Sequence, residues 1–442
     1  MPELSPEQTW LLELPRFGQG PSLDRTQRLL GPLHLPPKSC LAVTGSNGKG
    51  STCRYLEAML MALNLRPGVF TSPHVWQLGE RFQVDGQPVS DELLDRYIAD
   101  ARRTVEQSPE GEYGVFETML GTAVRCFAHE QTRTGVFEVG IGGRWDPVRQ
   151  VGARVAGLTA VELEHTKLLG GTRQEIALDK ADLAPEGGVL VYADLGDDDL
   201  VRELRRHCRA RHVRPVAAAE WVRFSHLRMD DSGMMGKAWF LGRPQGTVRW
   251  AMPGRHQAGN AAVAIGLLLE WNRLQAQPRD PEALWNVAVE ALKNTRIPGR
   301  CERLNREPPV YLDIAHTPES VRRFLEVVRP AIRGRAAVLL TGVSTDKRVE
   351  DILDVLAPLA DTLVATRARH RGAPVARVAA CLRASRPKER LLTSETLEEG
   401  LALALSESRQ QGVPLIIAGG LFLAMEARAI LSGRSPEDLH FV

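Results

Sequence analysis

The most informative stretch of the sequence is a short loop that combines glycines with one lysine and several polar side chains. It consists of Thr44, Gly45, Ser46, Asn47, Gly48, Lys49, Gly50 and Ser51. A short apolar strand is predicted to end at Val43, and apolar residues recur at helical spacing after Ser51. Glycines let an anion approach the backbone, a helix N-terminus attracts it, Lys49 adds a positive charge, and a serine hydroxyl can bind Mg²⁺. The stretch therefore predicts a phosphate-binding loop rather than a chance glycine turn.

Three further polar residues follow predicted strands. Ser72, Glu138 and His165 each stand at or just past the end of a short apolar run. In open α/β sheets, ligands bind at the carboxyl ends of the strands. Because Mg²⁺ needs few protein ligands when phosphates supply the rest, these residues and Ser51 predict a magnesium site. Taken singly, each has a simpler interpretation: a turn cap, a surface ion pair and a loop histidine.

The alternation of strand and helix patterns defines the fold class. Strands are predicted at residues 68–71, 134–139 and 155–161, and helices at 91–105 and 116–130. Strands that alternate with helices indicate the α/β class with a mostly parallel sheet. We therefore predict a large phosphate-loop ATPase domain.

A second, smaller domain is predicted at the C-terminus. The segment 293–299 reads as a linker, which divides the chain into domains 1–296 and 297–442. After it, strands predicted at 310–313, 336–340, 362–365 and 415–418 alternate with helices, as in a Rossmann-like unit.

Composition limits the classes of partner. The chain has 442 residues, 43% of them hydrophobic, and a net charge of +2 without a long basic block. We expect no nucleic-acid or membrane partner, and a monomer. The six cysteines form no C-x-x-C pair, and we find no signal peptide or long apolar run. These features predict a cytoplasmic protein with reduced thiols.

The spacing of the loop is more specific than its composition. The pattern T-G-S-N-G-K-G-S is shorter than the general G-x-x-x-x-G-K-[ST] loop. It resembles the nucleotide loop of the Mur ligase superfamily, and its G-K-G-S ending resembles the folylpolyglutamate synthase/dihydrofolate synthase branch. Further segments are similar to motifs of that branch in the same order: Thr71-Ser72-Pro73-His74, Phe116-Glu117-Thr118, Glu138 to Arg144, Glu164-His165-Thr166, Gly254-Arg255-His256-Gln257, Pro298-Gly299-Arg300, Asp313 to Pro318 and Asp346-Lys347.

The resemblance implies roles for residues that would look ordinary in isolation. In that family the residue matching Asn260 contacts adenine, that matching Arg300 reaches the terminal phosphate, and that matching Asp313 meets ribose. The position of His316 is associated with the incoming amino acid. Lys180 lies on a predicted amphipathic helix, and its spacing alone predicts a surface residue. The resemblance instead implies a carbamylated lysine that helps to position magnesium.

Several motifs around the expected substrate pocket depart from the folate branch. Asp24, Arg25 and Glu117 resemble parts of a pterin pocket. Trp145 and Asp146 occupy a loop in which that branch usually has G-G-R-L-D-A-T-N, and we predict that the indole of Trp145 forms a wall of the pocket. Residues 313–318 read D-I-A-H-T-P, closer to the D-Y-A-H-T-P of muropeptide ligases, and the D-H-T motif is E-H-T here.

The predicted function is ATP-dependent ligation. A folate or pteroate carboxylate would attack the γ-phosphate of ATP, with Lys49, Arg300 and Mg²⁺ stabilising the charge, and L-glutamate would capture the acyl phosphate. Glu138, His165 and Lys180 complete the predicted catalytic set. The alternatives are a related ligase acting on another carboxylate or amino acid, a nucleotide-dependent switch or motor, and a non-catalytic scaffold derived from a ligase.

Overall fold

A computed structural model describes residues 4–32, 34–74, 76–108, 113–230, 233–304, 307–332 and 336–439. An eight-stranded sheet organises the N-terminal part. Its strands are β1 (Cys40–Thr44), β2 (Pro67–Phe70), β3 (Phe82–Val84), β4 (Gln87–Pro88), β5 (Thr134–Glu138), β6 (Val155–Leu158), β7 (Val189–Tyr192) and β8 (Arg214–Ala217). Their spatial order is β4-β3-β2-β5-β1-β6-β7-β8. The neighbouring strands in the series β2-β5-β1-β6-β7-β8 pair in parallel. Strands β3 and β4 extend the β2 edge through antiparallel pairs.

Helices cover both faces of this sheet. They are α1 (Pro6–Glu13), α2 (Leu23–Leu30), α3 (Lys49–Ala62), α4 (Asp91–Glu106), α5 (Val115–His129), α6 (Thr166–Leu169), α7 (Arg173–Ala181), α8 (Asp198–Ala210), α9 (His256–Arg273) and α10 (Pro281–Asn294). In β1, Leu41 and Val43 join the core beneath α3 and α9, and Ala42 joins the core on the opposite face. Because successive strand residues point to opposite faces, a strand buried on both sides is apolar throughout. The central position of β1 places the loop after it mid-sheet.

A separate antiparallel sheet follows β8 and is not among the predicted elements. It contains β9 (Val222–Asp230), β10 (Gly233–Phe240) and β11 (Arg243–Trp250). Phe240 stacks on Trp285 of α10 with ring centroids 5.0 Å apart. The sheet therefore extends the core beneath α9 and α10.

The C-terminal part forms a six-stranded sheet. Its strands are β12 (Glu302–Leu304), β13 (Val310–Leu312), β14 (Val338–Thr341), β15 (Thr362–Ala365), β16 (Arg390–Thr393) and β17 (Leu415–Ile417), in the order β12-β13-β17-β14-β15-β16. Its helices are α11 (Pro318–Ile332), α12 (Val349–Leu356), α13 (Val375–Ser385), α14 (Leu397–Gln411) and α15 (Leu421–Leu431). All strand pairs are parallel except β12–β13.

The predicted α/β class is confirmed, with a large mostly parallel sheet and a second C-terminal sheet. The division at residues 296 and 297 stays a prediction. Predicted strand 155–161 is shorter than expected, because it ends at Leu158 and Thr159 turns to bond the loop after β1. Within the described ranges, no helix combines the length and apolar character needed to cross a membrane.

An aromatic side chain joins the two parts of the molecule. Trp76 follows β2 and packs against the C-terminal core that contains β13, β14 and β17. The guanidinium carbons of Arg428 and Arg434 lie 5.2 and 5.3 Å from the centroid of its ring, within the range of cation–π attraction. Arg428 is itself held by Glu302, at 2.7 Å.

Candidate functional site

The loop between β1 and α3 requires glycine at two positions. Gly45 has a φ of 146°, and a Cβ there would lie 1.8 Å from the hydroxyl oxygen of Thr159. Gly48 has a φ of 90°, and a Cβ there would lie 2.1 Å from Oδ1 of Asn260. A side chain at either position would therefore strain the backbone and collide with a neighbour. These glycines keep the loop narrow between β6 and α9.

Lys49 lies over this loop. Its Nζ donates a hydrogen bond to the carbonyl oxygen of Gly45 at 2.8 Å, so the ammonium bends back over the turn. The Thr44 hydroxyl ties the start of the loop to the carbonyl of Gly142 at 2.6 Å. The buried Ser51 hydroxyl accepts from Nε2 of Gln257 at 3.4 Å. A positive charge, a helix N-terminus and a hydroxyl are thus brought together, an arrangement suited to phosphate.

Glu138 ends the strand next to β1 and faces the same loop. Its Oε2 accepts the backbone N–H of Ser72 at 3.1 Å, and its carboxylate oxygens lie 3.6 and 3.7 Å from the position of a Cβ on Gly50. Burial raises the pKa of Glu138, while the charge of Lys49, the Ser72 N–H and the charge of Arg300 oppose that rise. The structure therefore brings Glu138, Ser72 and the phosphate loop together.

Lys180 is buried, with 1% of its side chain exposed. The surface position predicted from spacing alone is therefore wrong. Helix α7 turns Ile176, Ala177 and Lys180 inward, and Nζ of Lys180 donates to Oε1 of Glu164 at 2.8 Å. Burial lowers the pKa of Lys180 against the opposing charge of Glu164. Burial, with the charges of Lys180 and Lys49, also lowers the pKa of His165. The backbone of His165 is left-handed, with a φ of 44°.

The donors in this region fit Mg²⁺ in type. The Ser51 hydroxyl and the Glu138 carboxylate are hard oxygen ligands of the kind that Mg²⁺ prefers. Across the described ranges, no three or more His, Cys, Asp or Glu residues converge as a metal cluster. A site that borrows phosphate oxygens needs no such cluster. The predicted ligands Ser72 and His165 lie in the loops after β2 and β6, at the same edge of the sheet.

Asp313 and Arg300 come from the C-terminal side. Asp313 follows β13, and its carboxylate accepts the backbone N–H groups of Cys301 and Ala315, each at 2.7 Å. Burial raises the Asp313 pKa and the Arg300 charge opposes the rise. The guanidinium of Arg300 is exposed, and its charge acts on both Asp313 and Glu138. The positive charge of Arg300 therefore interacts with a carboxylate from each part of the molecule.

Asn260 and His316 border the same region. Nδ2 of Asn260, on α9, donates to Oε1 of Gln257 at 3.1 Å, and the Asn260 amide lies against Gly48. His316 is exposed after β13, where its Nδ1 lies 3.1 Å from the carbonyl oxygen of Ile314. Asn260 thus adjoins the phosphate loop, whereas His316 is presented by the C-terminal sheet.

Two residues of the predicted pterin pocket satisfy each other. Arg25 and Glu117 form a buried ion pair with an Nη2–Oε2 distance of 2.9 Å, and the Thr26 hydroxyl donates to Glu117 at 2.6 Å. These bonds hold α2 against the first turn of α5. The predicted neighbour Asp24 is exposed in the first turn of α2. The carboxylate of Glu117 is buried, whereas that of Asp24 is open to solvent.

Trp145 and Asp146 differ in their surroundings. Trp145 is 56% exposed, whereas Asp146 is buried and accepts backbone N–H groups from Gly140, Ile141 and Val148. Burial raises the Asp146 pKa to about 6, although these N–H groups oppose the rise. Asp146 therefore shapes the loop that presents the indole.

Two family models match the chain and define its class. The Mur ligase middle domain matches residues 43–268, which include the phosphate loop, Glu138 and His165. The glutamate ligase domain of Mur ligases matches residues 299–420. A phosphate loop after the central strand, followed by a second α/β part with Asp313 at a strand end, thus defines a Mur-type ligase.

Curated relatives specify the branch. The chain is 29% identical over 369 residues to the dihydrofolate synthase/folylpolyglutamate synthase of Bacillus subtilis, covering 80% of this chain and 83% of that protein. It is 30% identical over 429 residues to that of Mycobacterium tuberculosis, covering 91% and 86%. A solved structure of Mycobacterium tuberculosis folylpolyglutamate synthase complexed with ADP superposes with a TM-score of 0.82 at 26% identity, covering 97% of this chain and 98% of that one. The chain belongs to the folylpolyglutamate synthase/dihydrofolate synthase family.

Proposed function

We propose that the protein is an ATP-dependent ligase that joins L-glutamate to the carboxylate of a folate or dihydropteroate through an acyl phosphate. The observation that carries this proposal is the placement of Lys49 and Glu138 at one loop, within electrostatic reach of Arg300. The names of the relatives, one of them complexed with ADP, support the choice of nucleotide and substrate.

The chemistry has two displacements. A substrate carboxylate oxygen attacks the γ-phosphorus of ATP, and the bond to the bridging oxygen breaks to release ADP. Lys49 leaves the Gly45 carbonyl to contact phosphate, and the Arg300 guanidinium neutralises charge on the transferred group. The amino nitrogen of L-glutamate then attacks the acyl carbon, so that an amide forms and phosphate leaves. Asn260 is assigned to adenine, Asp313 to ribose and His316 to the incoming amino acid.

Magnesium belongs to the same proposal. Ser51 and Glu138 would hold the ion, with Ser72 and His165 as the further predicted ligands. When bound, Mg²⁺ neutralises phosphate charge. Carbamylation of Lys180 stays a prediction, and the lowered pKa favours it because the neutral amine is the form that reacts with carbon dioxide. Crystals grown with bicarbonate would show the carbamate as added density on Nζ, and bare density would reject it.

The substrate side rests on the outer loops. We assign the exposed indole of Trp145 to one wall of the pterin pocket, where stacking adds about 0.5–1.5 kcal/mol beyond buried area. Asp24 and the Arg25–Glu117 pair would form the opposite side, and Asp146 would hold the Trp145 loop. A cytoplasmic location and a monomeric state remain predictions of the sequence.

A substrate screen tests the proposed function. Purified protein would receive ATP, Mg²⁺ and L-glutamate with dihydropteroate, tetrahydrofolate or unrelated carboxylates, and phosphate release and the amide product would be measured. We expect turnover with dihydropteroate or tetrahydrofolate only when L-glutamate is present. Activity with another carboxylate and neither folate compound would favour the alternative Mur-type ligase. Phosphate release without carboxylate or amine would instead indicate a nucleotide switch.

A further inference from the structure

The carboxylate of Glu162, which is not assigned to the reaction, lies between the phosphate loop and the C-terminal part. Glu162, in the loop after β6, accepts a hydrogen bond at Oε2 from Nδ2 of Asn47 at 2.7 Å. Its other oxygen pairs with the guanidinium of Arg323, on α11. Both side chains of this ion pair are about one-quarter exposed, at 25% for Glu162 and 24% for Arg323. One carboxylate thus contacts both parts of the molecule.

The segment that carries Glu162 is also bonded to the phosphate loop through backbone groups. The Ser46 N–H donates to the Ala160 carbonyl at 2.7 Å, and the Glu162 N–H donates to the Ser46 hydroxyl at 2.9 Å. The Thr159 hydroxyl donates to the Asn47 carbonyl at 2.6 Å. These bonds couple Ser46 and Asn47 to residues 159–162. A displacement of Glu162 would therefore change the conformation of the phosphate loop.

The second partner distinguishes Glu162 from an ordinary surface ion pair. An exposed pair stabilises a protein by only about 0–1 kcal/mol. Here the carboxylate also orients an amide of the phosphate loop, and bonds to an ionised acceptor are stronger than neutral ones. Without Arg323, Glu162 keeps the Asn47 bond but loses the group that fixes its direction. The loop would then sample more conformations and bind phosphate less well.

We propose that Glu162 is a positioning residue that links the shape of the phosphate loop to the docking of α11 through Arg323. The inference rests on the proposed function, in which this loop binds the phosphates of ATP. Nucleotide affinity would then depend on the placement of the C-terminal part, although neither Glu162 nor Arg323 is assigned a contact with nucleotide. Loss of docking would loosen the loop, and ADP would leave more readily.

Titration of ADP into the full-length protein tests this link. The variants are Arg323→Met, Glu162→Gln, their combination, and Arg323→Lys, which keeps the charge. The matched control is Arg322→Met, since in the described contacts the exposed Arg322 on the same helix pairs with Glu319 and not with Glu162. Glu319 also lies 3.9 Å from Arg323, so the control reports any effect that passes through Glu319 alone. Affinity would be measured by calorimetry at a temperature at which circular dichroism shows every variant folded. The Michaelis constant for ATP and kcat would be measured in parallel.

We expect Arg323→Met and Glu162→Gln each to weaken ADP binding by about three- to tenfold, with no further loss in the combination, because the two residues act through one network. Arg323→Lys should recover part of the affinity, Arg322→Met should match wild type, and the Michaelis constant for ATP should change more than kcat. Wild-type affinity in Arg323→Met, or losses that multiply in the combination, would overturn the link. Absence of ADP binding in the wild-type protein would instead refute the proposed function.

Discussion

At the residue scale, the polar groups of the site are already bonded to the protein. The ammonium of Lys49 contacts the Gly45 carbonyl, and the Glu138 carboxylate accepts the Ser72 N–H. Buried polar groups without partners are costly, so such internal bonds stabilise the ligand-free fold. Binding of phosphate would exchange the Lys49–Gly45 bond, in which only the donor is charged, for a bond in which both partners are charged.

The first prediction concerns Lys49→Ala. Because the lysine faces the loop and not a core, the variant should fold normally but release phosphate about 10²–10³ times more slowly, the usual cost of removing one preorganised charge partner. Lys38→Ala is the matched control, since Lys38 is exposed. Substrate-dependent phosphate release checks both variants. Near-normal turnover in a folded Lys49→Ala protein would refute the phosphate-loop assignment.

The second prediction is a pH dependence of stability. Burial, with the charge of Arg300, lowers the pKa of His256 from 6.5 to about 4. The unfolded chain therefore binds a proton first as pH falls, so the fold loses stability between about pH 6.5 and pH 4. At pH 5 this loss is on the order of 2 kcal/mol.

His256→Gln should remove that loss, because glutamine does not titrate. Melting temperatures of the wild type and the variant would be compared at pH 7.5 and pH 5. We expect a smaller drop on acidification in the variant. Equal drops in the two proteins would show that His256 titrates normally in the fold.

Residue types were predictable from sequence to a useful extent, but their partners were not. The glycine turn between β1 and α3 was predictable because the spacing of glycines along a loop reflects local backbone geometry, whereas the roles of Lys49 and Ser51 stay predictions. The burial of Lys180 was missed from spacing because the face that α7 turns inward is set by packing on the sheet. Glu162 gave no signal either, since its partners Asn47 and Arg323 are distant in sequence.

At the element scale, helix α9 contains one glycine packed tightly against the sheet and one with free space beside it. A Cβ at Gly266 would lie 2.9 Å from Cγ1 of Val191 on β7, whereas a Cβ at Gly259 would meet nothing within 4 Å. Gly259→Ala should stabilise the helix by about 0.5–1 kcal/mol, because alanine loses less backbone entropy. Gly266→Ala should destabilise by about 1–3 kcal/mol through overpacking. Melting temperatures that shift in the same direction for both variants would contradict this account of the helix–sheet contact.

Parallel strands were predictable because both their faces are buried, which leaves short apolar runs such as residues 41–43. The sheet of β9, β10 and β11 was missed for the opposite reason. Its strands mix exposed and buried positions, so no continuous apolar run marks them, and its inner face is completed by α10, which follows later in the chain. Local sequence alone does not report such a contact.

At the whole-molecule scale, the residues assigned to the reaction come from both sheets. Glu138 ends a strand of the first sheet and Lys49 begins the helix that follows its central strand, whereas Asp313 and His316 follow a strand of the second sheet. In the proposed reaction the acyl phosphate would hydrolyse in water, so we expect the two parts to shield it until the amine arrives. Activity would then depend on how the two parts are placed.

Because Trp76 packs against the C-terminal core, its fluorescence should report how the two parts are placed. Indole fluorescence depends on the polarity and the charges around the ring, and Arg428 and Arg434 flank this indole only while the two parts are docked. Addition of ADP alone should therefore shift the emission of the wild-type protein, with the folate left out because Trp145 is assigned to its pocket. Trp76→Phe removes one of eight tryptophans and should abolish most of that shift, whereas an unchanged shift would assign the signal to another indole. Such a shift would make Trp76 an intrinsic fluorescent reporter of how the two parts are docked, with no label to attach.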